Sequence, residues 1–513
     1  MTHGTAISRL ALICLLGGCS NSGNKDTNVG DETDTDTDTD TDTDSDADSD
    51  TWFCTSDEAE AWWGPAPNQE TRLALFDELW GTLNDEYAGF GPSGLDWEAV
   101  RTETRPRIED AETYGCFYRL LSEIYADLQD GHSWLTSRQV CLRDITAGMP
   151  LYNNSDGGGL MGVCVTPLPD DSVLVYHAVP TNPAGLQPGD RLLGYDGRPW
   201  RELLTEIDAA RLPWCGGSAS ADSAQDAKRM GSIASNAHLF GALDVVRYET
   251  GATESVPTSD LIGYSAGVIC TDQLAVDGVD RPYTNYTNYY SADSGVSWGE
   301  LPDQDIGYVY AYAWTSDEIA PFEDAIRSMT DKRGIIIDQR YNTGGGAGAA
   351  WDGMDLLFDQ PTGPMMACLR RDPTSDDITA LNGGPEDAWG FIPTTSDRYD
   401  GPIAVLTGPK AISAGDLVPV FLAHYDNVQR FGQATNGSFG AVETFWYPDD
   451  TTGDLYASYT YAVCIDTEGE YLQGAEVGPD VEVWFTPDDV AAGTDSVVAA
   501  ALAWIDQEAP LVR

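Results

Sequence analysis

Between residues 304 and 513 short apolar runs alternate with stretches in which apolar side chains recur every three or four positions. Ile306–Ala313, Gly334–Asp338 and Ile403–Leu406 are uninterrupted enough for strands buried on both faces, with further strands near Tyr459 and Val481. Ile319–Met329, Ala347–Leu357, Ala414–Ala423 and Thr494–Gln507 carry helical spacing. Strands and helices in alternation predict an α/β core with a mainly parallel sheet. Residues 53–150 read as a helical region: Leu73, Phe76, Leu79, Trp80 and Leu83 make one stripe, Phe117, Leu120, Leu121, Ile124, Tyr125 and Leu128 another, and Gly91-Pro92 interrupts them. Residues 151–262 shift to short alternating strands, such as Ser172–His177 and Val245–Glu249, with a polar helical insert near Ala219–Leu243. Residues 263–303, rich in Tyr, Asn, Ser and Asp without a period, predict a linker or surface loop.

The amino-terminal end is of another kind. Residues 1–19 hold Arg9, an apolar run from Leu10 to Leu16, and Leu16-Gly-Gly-Cys19. The run is too short to span a membrane and ends in small residues, which predicts a secretory signal. Leu-Gly-Gly-Cys is similar to a bacterial lipoprotein signal, in which cleavage precedes a lipidated cysteine, here Cys19. In residues 20–52 Thr and Asp alternate from Thr33 to Asp44, with Ser and Ala variants after it; the stretch offers almost no apolar surface for a core and predicts an extended tether. The expected location is therefore the bacterial cell envelope, with membrane contact through the lipid anchor only.

The 513 residues carry 84 acidic against 27 basic side chains, a formal net charge of −57. Such a chain repels phosphate backbones, so no nucleic-acid partner is expected. Outside the signal stand Cys54, Cys116, Cys141, Cys164, Cys215, Cys270, Cys368 and Cys464, an even number that in an exported chain predicts at least two disulfides. No Cys-x-x-Cys or His-Glu-x-x-His segment is present, so neither a metal site nor a cofactor is expected.

Three segments carry candidate chemistry. In Gly401–Asp416 an apolar strand runs into a small-residue turn and a helix, with Ser413 at the turn and Ala414 and Gly415 beside it. Arg333–Gly346 repeats the layout and ends in Gly344-Gly-Gly346, whose backbone N–H groups suit an oxyanion. Leu128-Gln-Asp-Gly-His-Ser133 places His132 at the end of a helical pattern. A serine hydroxyl needs a base, and imidazole titrates near neutrality. His3 lies in the signal, and His177, His238 and His424 have no accompanying motif.

Together and in this order, these segments resemble the tail-specific, or carboxy-terminal processing, serine proteases, and more closely their tricorn-like branch, from about Leu73 to the end of the chain. Asn182–Gly197 looks like part of a PDZ module, which that family commonly carries there. The resemblance implies a multidomain α/β protein: an N-terminal helical region, a PDZ-like module over 151–262 and a protease core over 304–513. It implies peptide-bond hydrolysis through an acyl-enzyme, with protein or peptide substrates, Ser413 as nucleophile, His132 as base, and oxyanion donors on Ala414 and one of Gly344 or Gly345. The lysine that many members carry in a Gly-x-x-Thr-x-Gly-Lys segment is replaced here by Ser438 within Gly432–Ser438. Lys410 reads as a solvated turn residue. The supporting glutamate of the branch corresponds to Glu476, in Glu476-Val-Gly-Pro-Asp480, with Glu470 and Gln473 as alternatives, direct alignment favouring Gln473. Ser133 is the candidate supporting serine, although it follows the histidine where the tricorn core has a serine before it. Asp416 matches the family's acidic residue three positions after the nucleophile, with a structural part. The competing reading is a protease-like scaffold that has lost catalysis and holds peptides or partners at a surface.

Overall fold

The computed structural model describes residues 63–137, 158–159, 162–203, 220, 240–261, 268–269, 295–358, 360–393, 398–447, 455–475 and 477–510. The signal with Cys19, the tether, Glu476 and most of the expected insert lie outside them.

The central sheet follows directly from the apolar runs. Strands β10 (Val296–Leu301), β11 (Ile306–Ala311), β12 (Gly334–Asp338), β14 (Ile403–Thr407), β15 (Val428–Gly432) and β18 (Val481–Glu482) lie in that order, β10 antiparallel to β11 and the others parallel. Because β12 is buried on both sides, its isoleucines serve two cores. Ile335 and Ile337 join Val309 and Val405 against Phe322, Ile326, Met354, Val418 and Phe421 of the helices Ser316–Ser328, Ala347–Met354 and Ala414–Leu422. Ile336 turns the other way, with Tyr308, Ala404 and Leu406, onto Val497, Ala501 and Ile505 of the helix Ser496–Glu508. Each such side chain contributes about 1.5–3 kcal/mol by leaving water, so the layer is held from both faces. Strand β10 falls in the segment expected to be a loop. It is an edge strand with Trp298 partly exposed, and that half-wet environment is why no apolar run marks it.

A second, antiparallel sheet was not foreseen. The long strand β17 (Leu455–Asp466) pairs along one side with β16 (Gly440–Tyr447) and along the other with β1 (Trp134–Ser137) and β13 (Met366–Arg370). Cys368 faces Cys464 across β13 and β17, and the two form a disulfide; Cys116 and Cys164 each belong to a disulfide too, but not to one with each other.

The N-terminal helices Gln69–Glu86, Trp97–Asp110 and Tyr114–Asp127 start where the sequence supplies caps. Asn68, Asp96 and Thr113 accept from the N–H groups of Thr71, Ala99 and Cys116. Between this region and the core sits an antiparallel sheet of β3 (Val163–Pro167), β4 (Val173–Ala178), β5 (Arg191–Tyr195), β7 (Ala242–Val246) and β8 (Thr253–Pro257), with β6 (Arg198–Pro199) beside β5, while β2 (Gly158–Gly159) pairs with β9 (Val268–Ile269). Leu243, assigned to a helix from its pattern, belongs to β7. The sheet is docked on the core: Tyr176 stacks on Phe485 with ring centroids 6.1 Å apart and meets the Tyr341 hydroxyl at 3.1 Å, and Tyr248 donates to Asp488 at 2.9 Å. Among the described residues, no helix is long and apolar enough to cross a membrane.

Candidate active site

Strand β14 delivers its chain into a turn that ends at Ser413, the residue before the helix Ala414–Leu422. There the backbone has φ 63° and ψ −118°, unusual for a residue with a Cβ and costing on the order of 1–3 kcal/mol. Hydrogen bonds hold it in place. The Ser413 N–H donates to Asp416 Oδ2 at 2.7 Å, and the Ser413 carbonyl accepts from the N–H groups of Asp416 and Leu417. Asp416 has no exposed surface and also accepts from Gly437 N–H at 2.8 Å and Ser438 N–H at 3.2 Å. Burial pushes its carboxyl up to about 7, against the pull of the Thr435 hydroxyl and these backbone donors.

The glycine loop after β12 packs onto this turn. Gly344 and Gly345 have φ of 87° and 135°. A Cβ on Gly344 would lie 2.6 Å from Ser413 Cβ and 3.2 Å from its Oγ, and one on Gly345 would lie 2.0 Å from the Trp314 carbonyl oxygen. Only glycine fits either position. The Gly344 N–H donates to Asn342 Oδ1 at 2.8 Å, so of the two expected oxyanion donors this one is already engaged and its role is steric. Among the described residues, no hydrogen bond engages the N–H groups of Gly345 or Ala414. Asn342, buried and bonded also to the Ala311 and Ile412 backbones, fixes the loop; the sequence reading passed over it, although an Asn opening a glycine cluster is a turn signal.

His132 lies in the turn between the helix Tyr114–Asp127 and β1. The turn is organised by Asp130, a fully buried carboxylate that accepts from His132 N–H at 2.9 Å, Ser133 Oγ at 2.7 Å, Thr460 Oγ1 at 2.6 Å and Gln473 Nε2 at 2.6 Å. Gln473 Nε2 also donates to Ser220 Oγ at 2.8 Å. Ser220 accepts from Gly131 N–H and meets the Ser438 hydroxyl at 2.8 Å, and Ser438 reaches Asp416. A continuous hydrogen-bonded path therefore joins the turn of His132 to the turn of Ser413, although they come from opposite ends of the chain.

Other expected residues fall differently. The Ser133 hydroxyl is held by Asp130 and by the Thr460 N–H. Glu470 is exposed, whereas Gln473 is buried with its amide oxygen on the Phe439 N–H. Ser438 stands at the position of the absent lysine and donates to Asn436. His424 is exposed at a helix end and His177 lies in β4. Lys410 corrects the sequence reading. It is partly buried in the wall of a cleft that Val165, Thr166, Tyr341, Gln433 and Phe485 also line, its ammonium 5.0 Å from the centre of the Tyr341 ring, and burial lowers its pKa to about 7.

Segments of this arrangement are similar to known peptidases. Residues 305–483, which hold the central sheet apart from β10, the glycine loop and Ser413, match peptidase family S41, and residues 68–126, the helices leading to His132, match the tricorn protease C1 domain. Tricorn protease homolog 1 of Streptomyces coelicolor is 23% identical over 445 residues, covering 84% of this chain and 35% of that protein, so the chain spans about a third of that relative's length. An uncharacterized protein of Chlamydia muridarum is 29% identical over 93 residues, 18% of this chain and 15% of its own length. The structure of mature CPAF complexed with lactacystin shares the fold, with a TM-score of 0.59 at 16% identity over 86% of this chain and 98% of that one. In both matched segments the chain is similar to the tail-specific, tricorn-like serine peptidases.

Proposed function

We propose that the protein is an exported, lipid-anchored serine endopeptidase that cuts protein or peptide substrates through an acyl-enzyme. In this reading Ser413 Oγ attacks the scissile carbonyl carbon, and His132 takes the hydroxyl proton and returns it to the leaving amine. The N–H groups of Gly345 and Ala414 receive the oxyanion. The observation that carries the reading is the convergence on Ser413 of a glycine loop that tolerates no side chain and a hydrogen-bonded path to the His132 turn. Lipidation would fall on Cys19 and hold the enzyme at the bacterial envelope, the acidic segment serving as spacer.

The scaffold reading draws on Gln473, a neutral amide at the position aligned with the family's supporting glutamate, engaged with Asp130, Ser220 and Phe439. A fluorophosphonate probe separates the two. Wild type labelled at Ser413, with no labelling in Ser413→Ala and labelling slowed by about a hundredfold or more in His132→Ala, supports the peptidase. An unlabelled wild type, or a His132→Ala variant that labels normally, rejects this mechanism. Intact mass of the mature protein tests the anchor: acyl chains on Cys19 support it, and an unmodified thiol there or a start elsewhere refutes it.

A further inference from the structure

Asp416 stands apart from the residues used above. It is a carboxylate with no exposed surface, one turn beyond the nucleophile, and its protein partners are hydrogen-bond donors. One oxygen receives the N–H of Ser413 at 2.7 Å and of Ser438 at 3.2 Å, and the other receives the N–H of Gly437 at 2.8 Å. The first bond holds the serine whose backbone is strained, and the other two come from the loop that ends at Ser438, the residue that meets Ser220 and so leads to the His132 turn. One carboxylate thus ties the nucleophile turn to the path toward the base. Both oxygens act as acceptors, which only the ionised group does without turning a proton toward a donor.

We propose that Asp416 is a positioning residue whose ionised carboxylate holds Ser413 in its reactive backbone conformation, so that protonation of Asp416 switches the nucleophile off. The inference rests on Ser413 being the nucleophile. Asp416 touches no reacting atom in this role; it acts through the Ser413 amide. The groups that hold it, the N–H groups of Ser413, Gly437 and Ser438 and the Thr435 hydroxyl, carry no charge; the titratable groups connected to it are Lys410 in its own turn, and Asp130 and His132 beyond the Ser438–Ser220 bridge. The Thr435–Ser438 loop brings none. The acid's position near neutrality, caused by burial, places the switch within the working range of a histidine base.

The test measures the rate of fluorophosphonate attack at Ser413 between about pH 5 and pH 9 on the full chain, with the modified residue located by peptide mapping. In Asp416→Asn an amide replaces one acceptor oxygen by a donor facing N–H groups. The maximal inactivation rate is expected to fall about a hundredfold, while the probe concentration giving half-maximal rate stays within about threefold. The acid limb of the wild-type profile should approach a slope of two, from Asp416 and His132, and that of Asp416→Asn a slope of one. Labelling of the variant within about threefold of wild type, or a wild-type slope of one, overturns the proposal. If the variant does not fold, the wild-type slope alone decides. Wild type unlabelled at Ser413 would overturn the nucleophile reading and this one with it, whereas a labelled wild type with an indifferent Asp416→Asn removes only the present inference.

Discussion

Ser413 and Gly344 are in van der Waals contact through backbone conformations that few other residue pairs would tolerate. Gly344→Ala forces a methyl to 2.6 Å from Ser413 Cβ at a φ of 87°. The expected result is a fall in kcat of about a hundredfold with destabilisation of roughly 1–3 kcal/mol, read from steady-state kinetics and urea melts. An alanine variant of wild-type activity would show that the loop is free to move away. Lys410 offers a test of sign. Its ammonium prefers the unfolded chain, where its pKa is 10.5, over the folded one, where burial brings it to about 7. The lysine therefore weakens folding most below pH 7, and stability recovers as pH rises from 7 toward 10.5. Lys410→Met should be more stable than wild type by roughly 2 kcal/mol near pH 6, with the difference closing at high pH. A difference that does not change with pH would place the lysine in water. Ser413, His132 and the glycine loop were legible because each sits in a short motif whose residue types declare a turn. Asp130, Thr460 and Ser220 were not, since their role depends on partners hundreds of positions away.

At the scale of elements, the central strands that show as uninterrupted apolar runs are those buried on both faces. In β12 and β14 every residue is buried, so the sequence had no room for polar side chains. The missed strands β13, β15 and β16 carry Arg370, Gln429, Arg430 and Glu443 among their apolar residues, because each has a side or an end in contact with water. Their polar positions hide the period. The Cys368–Cys464 bond joins two of the second sheet's strands across 96 positions. Closing a loop of that length in the unfolded state stabilises the native protein by about 3–5 kcal/mol, so Cys368→Ser should lower the urea midpoint by the corresponding amount. An unchanged midpoint would mean that strand pairing alone holds this edge.

For the whole molecule, the dominant global term is the net charge of −57, which opposes compaction at low ionic strength. Added NaCl between about 0.01 and 0.5 M should raise Tm by several degrees, most steeply at the low end where the screening length shortens fastest. A flat profile would mean that local ion pairs, such as Arg340 with Asp338 and Asp495, already absorb most of the repulsion. The succession of helices, short antiparallel strands and alternating strands and helices was legible from changes of period along the chain. The docking of the middle sheet through Tyr176, Tyr341 and Phe485 was not, because aromatic residues in alternating strands look the same whether they face a core or a neighbouring module.

Strand β17 bears on how the enzyme comes into being. It is made late, yet β1, the strand that follows His132 directly, pairs with it, and its Thr460 is one of the donors that hold Asp130. A nascent chain that has not reached Leu455–Asp466 has Trp134–Ser137 without its neighbour and the histidine turn without that support. The order of synthesis therefore leaves the histidine turn to the end: its neighbouring strand and its Thr460 support arrive only once most of the chain has been made.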